Sequence, residues 1–302
     1  MVTRSKYSLL KQINELQDIA AVMEEPYRVK AFRHAYVEVL KVKHADEKEL
    51  MNLDVGTRMK EKFNEFISSG EISEIKNKKS DPQYQAMSIL HTILGVGPKL
   101  VKKWQLLGVI DIPTLESAVA DGKIKLNHIQ SLGLRYHSDI NTKIPRNSID
   151  ELLKSLISSV GNLVTRMEVA GSYRRGKEES GDIDIIIVTD NFDKVIEKIK
   201  SRDDYIDTLL SGNERFSWLC TGSHGKVMQV DILNVSENSY IYAMLYFTGS
   251  GYFNEYMRGV ARSKGFKLNQ HGLYHDGKSI TCVDEKDIFD KIGIKFVPIN
   301  KR

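Results

Sequence analysis

The sequence predicts a multi-domain α+β protein, with an all-helical N-terminal half followed by a mixed β-sheet flanked by helices. Three observations carry that expectation. Apolar residues recur at helical spacing from the start to about Pro145, and short runs rich in Val, Ile and aromatics begin at Met167. The 302 residues, 41% of them hydrophobic, also suffice for two or more cores. The pattern divides into a helical unit at 1–80, a second helical unit at 81–145, a sheet-bearing unit at 146–236 and a C-terminal unit at 237–302.

In the first unit, Leu9, Ile13, Leu16, Ile19 and Ala20 share one helical face, and Val29, Phe32, Tyr36, Val39 and Leu40 share another. The polar stretch KNKKSDPQ (76–83) has linker composition, after which helices resume. MEVAGS, DIDIIIV, FSWLC and VMQVDILNV then read as strands, interleaved with amphipathic segments such as FDKVIEKIK. No window approaches 18 uninterrupted apolar residues, and the opening segment is amphipathic with mixed charge rather than a leader. The two cysteines, Cys220 and Cys282, lack metal-ligand spacing and read as buried thiols. These features give the expectation of a soluble intracellular protein, with no membrane contact. A formal net charge of +4 is unevenly placed, with the basic excess in the N-terminal half, and that asymmetry favours a polyanion there.

An internal echo sharpens the polyanion reading. LDVGTRMKEKFNEF (53–66) and LGVGPKLVKKWQLL (94–107) share a Val-Gly pivot before a basic amphipathic helix, the pattern of a helix-hairpin-helix. Gly95 and Gly97 give the turn conformational freedom, Pro98 fits the first helical position, and amides at the helix start face outward with Lys99 beside them. Such a motif contacts phosphates rather than base edges, so duplex or nicked DNA is the expected ligand.

The chemistry concentrates in GSYRRGKEESGDIDIII (171–187). Residues i and i+2 of a strand share a face, so Asp182 and Asp184 project together while Ile183, Ile185 and Ile187 fill the other side. Asp231, in the apolar run VMQVDILNV, is the candidate third carboxylate. Three carboxylates about 4 Å apart repel by several kcal/mol at an effective dielectric near 20, and hard oxygen ligands at that density suit Mg²⁺ or Mn²⁺. Upstream, Gly171, Ser172, Arg174 and Arg175 supply small residues and cations for phosphate oxygens. Strand, anion loop and paired aspartates together describe phosphoryl transfer assisted by two metal ions. Farther on, Asn254, Arg258 and Arg262 form a polar stripe along a helix after YFTGS, with Phe253, Met257 and Val260 on its apolar side.

GSYRRGKEESGDIDIII, the later VDI and YFTGSGYFNEYMR resemble the palm and nucleotide-binding segments of the family X DNA polymerases. The resemblance extends in order over nearly the whole chain, through PYRVKAFRHA, both hairpins and LGLRYHSDINTKIPR. It implies that Asp182, Asp184 and Asp231 bind the metals, with Asp231 also taking the proton of the primer 3′-hydroxyl. Ser172, Arg175 and Gly181, with Gly171 and Arg146 nearby, would hold the triphosphate of a dNTP. Tyr246, Phe247 and Gly249 would read the sugar, and Asn254 and Arg258 the nascent pair and minor groove. A monovalent cation at the second hairpin is a further implication, and Asp54 in place of a usual glycine puts one at the first in question.

A second chemistry is suggested in the first hairpin's helix, where Lys62 sits at the apolar edge of a face made by Met59, Phe63, Phe66 and Ile67, with Arg58 beside it. A neutral lysine amine forms Schiff bases with aldehydes. The resemblance places Lys62 at the position of the lysine that removes 5′-deoxyribose phosphate, with Arg28 and Arg58 as phosphate-binding neighbours and Lys60 as an alternative nucleophile. There are also departures from the family. Gln229 and Leu233 stand where arginines are common, Gln270 where an acidic residue is, and Gly251 and Glu255 differ at the base-pair contact.

The expected function is template-directed gap-filling synthesis in base excision repair, by a monomer acting on gapped or nicked duplex DNA, and nuclear in a eukaryotic host. The connection TGSHGK is short, which favours template dependence. The rivals are another nucleotidyltransferase, terminal or RNA-tailing, and a catalytically inert DNA-binding scaffold.

Overall fold

The computed structural model describes residues 6–222 and 225–302, so Ser223 and His224 of the TGSHGK connection lie outside the described residues. Chain contacts divide it into two units, Met1–His137 and Ser138–Arg302.

The first unit is helical throughout its described residues. Helices α1 (Lys6–Val22), α2 (Pro26–Lys41), α3 (Glu47–Met51), α4 (Thr57–Ser69) and α5 (Ser73–Lys79) enclose one core. Its fully buried side chains include the α1 stripe Leu9, Ile13, Leu16 and Ile19, together with Phe63 and Phe66 of α4. Helices α6 (Pro82–His91), α7 (Pro98–Gln105), α8 (Ile112–Ala120) and α9 (His128–Arg135) enclose a second, built on Met87, Leu90, Val101, Trp104 and Leu115. The short α10 (His137–Ile140) follows at the unit boundary.

The stretch 76–83, expected as a linker, is helix on both sides of a two-residue break at Ser80 and Asp81. Asp81 accepts from the Gln83 amide and Pro82 occupies the first helical position, so these residues start α6 rather than loosen the chain.

The hairpin pivots also differ from expectation. Gly56 and Gly97 cap α4 and α7 in extended conformations that any residue adopts. The left-handed residue of the second turn is Gly95, with φ +72°. Its carbonyl accepts from Gln130 Nε2 at 3.1 Å, and a Cβ at Gly133 would lie 2.6 Å from the Leu94 amide nitrogen. Helix α9 therefore rests directly on the turn.

The second unit begins with β1 (Ile144–Pro145), α11 (Arg146–Val160), β2 (Arg166–Val169), the single turn α12 (Gly171–Arg174), β3 (Glu179–Ser180) and β4 (Ile183–Val188). It continues through α13 (Phe192–Lys200), β5 (Tyr205–Ser211), β6 (Arg215–Thr221) and β7 (Val227–Asn234). The main sheet has the order β2-β4-β7-β6-β5, with β4 and β7 parallel and the other pairs antiparallel. Strand β5 is not foreseeable from its residues, because YIDTLLS is half exposed and edge-placed and lacks a continuous apolar run. Ile183, Ile185 and Ile187 pack with α11 and α13 on one face of β4, and Ile186 packs with α14 on the other, which accounts for the unbroken apolar sequence.

After the sheet come α14 (Tyr240–Thr248), α15 (Gly251–Ser263), the hairpin-linked β8 (Phe266–Asn269), β9 (Gly272–His275) and β10 (Lys278–Ile280), and α16 (Glu285–Ile292). The buried seam of α15 is Phe253, Met257 and Ala261, so Ala261 takes the place expected for Val260. Both cysteines are buried and free, and Trp104 and Trp218 are core residues.

Candidate active site

The parallel pairing of β4 with β7 sets Asp184 directly opposite Asp231, with Ile183 opposite Val230 before them. Neighbouring strands are about 4.8 Å apart, so two carboxylates face each other across one rung of the ladder, and Asp182, just before β4, is close enough for the Asp231 charge to raise its carboxyl. Asp184 is largely buried, and that burial, with the charges of Asp182 and Asp231, pushes its carboxyl up to about 7. Desolvation and Asp231 raise Asp182 as well. Two acids raised first by burial and then by like-charged neighbours mark a site short of positive charge.

Asp231 is held by three side chains that reading along the chain does not assemble. Ser217, its register partner on β6, donates to Oδ1, Gln229 Nε2 donates to Oδ2 at 3.0 Å, and Arg215 Nη2 stands 3.6 Å from Oδ1. The support an arginine at position 229 would give is thus supplied by an amide, a hydroxyl and an arginine from the adjacent strand. Among the described residues, no three acidic, histidine or cysteine side chains form a closed ligand set. The donors are nevertheless hard carboxylate oxygens in excess of local cations, which suits Mg²⁺ or Mn²⁺.

Above the carboxylates runs the loop 170–181. Gly171 has φ +57°, and a Cβ there would lie 2.9 Å from Asp184 Oδ2, so only glycine allows the loop to approach this closely. Ser172 Oγ donates to Ser180 Oγ at 2.8 Å, bringing the two ends of the loop together. Arg175 Nη1 donates to the Thr248 carbonyl, and burial lowers its guanidinium while Asp184 and Asp182 oppose the shift.

Two arginines here also hold the loop in place. Arg174 pairs with Glu285 at 2.6 Å and donates to Thr248 Oγ1 at 2.8 Å, tying the loop to α16 and α14. Arg146 donates to the Tyr173 carbonyl at 2.8 Å and lies 3.8 Å over the Tyr173 ring, so it clamps the loop backbone. A further cation besides Arg175 and Arg215 is Lys143, which the sequence pattern does not single out. A Cβ on Gly181 would lie 3.1 Å from its Nζ, and its charge acts on Asp182. Its only sequence signal is its place in KIPR, just before a strand that pairs with β3.

Tyr246 and Phe247 meet edge to face at 5.1 Å at the end of α14, followed by Gly249 at φ +66°. Asn254 Nδ2 donates to the Tyr246 carbonyl at 2.5 Å, and the Arg258 guanidinium lies 5.5 Å over the Tyr246 ring. The YFTG segment and the polar stripe of α15 are therefore one packed group, beside the loop that carries Arg175.

In the other unit, Lys62 Nζ pairs with Glu74 Oε2 at 2.6 Å, and Arg28 pairs with the second oxygen of Glu74 and with Glu25 at 2.7 Å. Arg58 is exposed on the same helix as Lys62, and Lys60 is half-buried there. Gly97 and Lys99 are exposed at the start of α7, beside the Gly95 turn.

Residues 149–216 match the nucleotidyltransferase domain and residues 243–302 the DNA polymerase beta thumb. Asp231 falls between the two matched segments. The chain is similar to DNA polymerase lambda of Arabidopsis thaliana, 25% identical over 281 residues that cover 82% of this chain and 52% of that protein. DNA polymerase lambda of Rattus norvegicus is 25% identical over 270 residues, covering 80% and 46%. DNA nucleotidylexotransferase of Xenopus laevis is 26% identical over 305 residues, covering 83% and 58%. The chain thus spans about half the length of these relatives. Among the described residues no helix is long and apolar enough to cross a membrane.

Proposed function

We propose that this chain, which belongs to the family X DNA polymerases by its nucleotidyltransferase and thumb domains and by its relatives, is a template-directed, gap-filling DNA repair polymerase. Its substrates are gapped or nicked duplex DNA and a dNTP, and it acts as a monomer. The observation that carries the reading is the register of Asp184 against Asp231, with Asp182 near enough for their charges to interact and the Gly171 loop in contact with Asp184.

Asp182, Asp184 and Asp231 would hold Mg²⁺ or Mn²⁺, two ions of which, when bound, supply charge neutralisation for the triphosphate and activation of the attacking hydroxyl. The protein's own contribution is positioning. Asp231, oriented by Ser217, Gln229 and Arg215, accepts the proton of the primer 3′-hydroxyl at one of its oxygens. Ser172, Arg175, Gly181 and Lys143 receive the triphosphate along the loop, where guanidinium and ammonium groups make charge-assisted bonds. Tyr246, Phe247 and Gly249 pack against the deoxyribose and exclude a 2′-hydroxyl, while Asn254 and Arg258 lie toward the base pair and minor groove.

The first unit binds DNA through phosphates at the starts of α4 and α7, using Arg58, Lys99 and the open backbone at Gly97. A monovalent cation at the second hairpin would be bound by backbone carbonyls of the turn around Gly95. Lys62, with Arg28 near its amine, is the Schiff-base nucleophile of a 5′-deoxyribose phosphate lyase.

Similarity to a nucleotidylexotransferase keeps untemplated addition as a second reading. Primer extension separates them. On a gapped duplex the wild type should insert the templated nucleotide, single-stranded primer should be extended far less, and Asp231→Ala should lose at least about 10³-fold in rate. Equal extension of both substrates removes the template from the reaction, and equal rates for wild type and Asp231→Ala remove the enzyme reading.

A further inference from the structure

We propose that Glu74 is the counter-ion of the Schiff base formed on Lys62, an inference that deepens the lyase reading above and rests on it. Glu74 lies in the first turn of α5, twelve residues beyond Lys62, and its Oε2 is 2.6 Å from Lys62 Nζ. Its other oxygen is held by Arg28, which Glu25 fixes in turn at 2.7 Å and which lies 5.1 Å over the Phe32 ring. The carboxylate is therefore anchored from one side and aimed at the reacting nitrogen from the other. The Lys62 and Glu74 side chains are only 19% and 23% exposed, so the pair is poorly screened by solvent. Burial tends to raise the Glu74 carboxyl, but Lys62 and Arg28 hold it below the ordinary carboxylate range, as a permanent counter-charge must be.

The geometry also balances the reaction. The Lys62 ammonium releases a proton to solvent, and the freed amine adds to C1′ of the ring-opened sugar aldehyde, giving a neutral carbinolamine after a proton moves from nitrogen to oxygen. A proton from solvent reaches the leaving hydroxyl, the C1′–O bond breaks, and water departs. The nitrogen is left as an iminium bearing one N–H, directed at a carboxylate that stays charged throughout. Ammonium and iminium occupy one position and carry one charge, so the contact present at rest persists in the intermediate. That charge acidifies C2′–H, whose loss to solvent precedes cleavage of the C3′–O bond and release of a 5′-phosphorylated DNA end.

The test is reductive trapping with sodium cyanoborohydride, using the full chain and a one-nucleotide-gapped duplex carrying 5′-deoxyribose phosphate, from about pH 6 to about pH 8.5. Glu74→Gln keeps the shape and removes the charge. Its trapped adduct should fall about tenfold at the alkaline end and recover toward wild type at the acidic end, because an unpaired iminium loses its proton about one unit earlier. A mere packing defect lowers the adduct by the same factor at every pH, and Glu74→Asp, which restores the charge, should restore the profile. A Glu74→Gln profile parallel to wild type, or an adduct yield above it, overturns the proposal. If the wild type forms no adduct, or one unaffected by Lys62→Ala, the lyase reading itself falls and takes this role of Glu74 with it.

Discussion

Asp184 shows how much a single carboxyl determines in this fold. Its folded carboxyl titrates near 7 against an ordinary value near 3.8, chiefly because it is buried and then because Asp182 and Asp231 stand beside it. Between those values the folded protein holds a proton that the unfolded chain has released, so stability falls as pH rises from about 4 to about 7. The penalty is on the order of a few kcal/mol, about 4 at the most. In the metal-free protein, Asp184→Asn should remain stable across this range while the wild type loses melting temperature. Adding Mg²⁺ at pH 7.5 should return much of the difference to the wild type and none to the variant. Parallel melting curves for the two metal-free proteins over this range would show that the carboxylate is not strained. Asp182 and Asp184 were legible in the sequence because alternation in a strand predicts a common face for them. Gln229, Ser217 and Arg215 were not, because their meeting at Asp231 depends on which strand lies beside β7, and register is a tertiary property.

At the scale of elements, the tie between the phosphate loop and the thumb rests on Glu285 in the first turn of α16. Its carboxylate takes Arg174 at 2.6 Å on one oxygen and Arg302 Nη1 at 2.5 Å on the other, and the Arg302 side chain is fully enclosed among Phe253, Phe289 and Phe296. Removing one member of a buried ionic group leaves the others uncompensated and typically costs about 3–5 kcal/mol. Glu285→Gln should therefore lower unit stability by about 3 kcal/mol in urea unfolding and raise the KM for dNTP more than it lowers kcat, since Arg174 no longer fixes the loop. A fall in kcat with KM unchanged would place the tie in the chemical step instead.

The second hairpin offers a purely steric test. Gly133→Ala puts a methyl 2.6 Å from the Leu94 nitrogen, and because backbone cannot rotate aside, about 2–3 kcal/mol of destabilisation is expected, read as a lower urea midpoint. The hairpins could be read from the sequence because each combines a Val-Gly pair with a basic amphipathic helix. The α9 contact that supports the turn could not, because nothing in SLGLR distinguishes a packed glycine from a free one. The break at Ser80 and Asp81 misled for a related reason: Ser, Asp and Pro favour loops and helix starts alike, and only a following buried face such as Ala86, Met87 and Leu90 decides between them.

Across the whole molecule, charge separates where chemistry separates. Through His137 there are 21 basic and 17 acidic residues, and beyond it 23 of each, so the formal net charge of +4 resides entirely in the helical unit. On the proposed function, a unit with three clustered aspartates and no net charge would contribute little long-range attraction to DNA, and the hairpin unit would steer and hold the backbone. Affinity for a gapped duplex should consequently depend on salt through cations of the first unit. Every phosphate that a side chain ceases to neutralise flattens the slope of log K against log salt by about 0.9. Lys99→Ala, an exposed residue at the start of α7, should weaken binding equally on duplexes of unrelated sequence and flatten that slope by about one, as fluorescence anisotropy from low to moderate salt would record. Lys267→Ala, an exposed lysine of the same charge in the neutral unit, provides the comparison. If it flattens the slope as much as Lys99→Ala does, phosphate binding is spread over both units, and the division of labour inferred from the charge distribution is wrong.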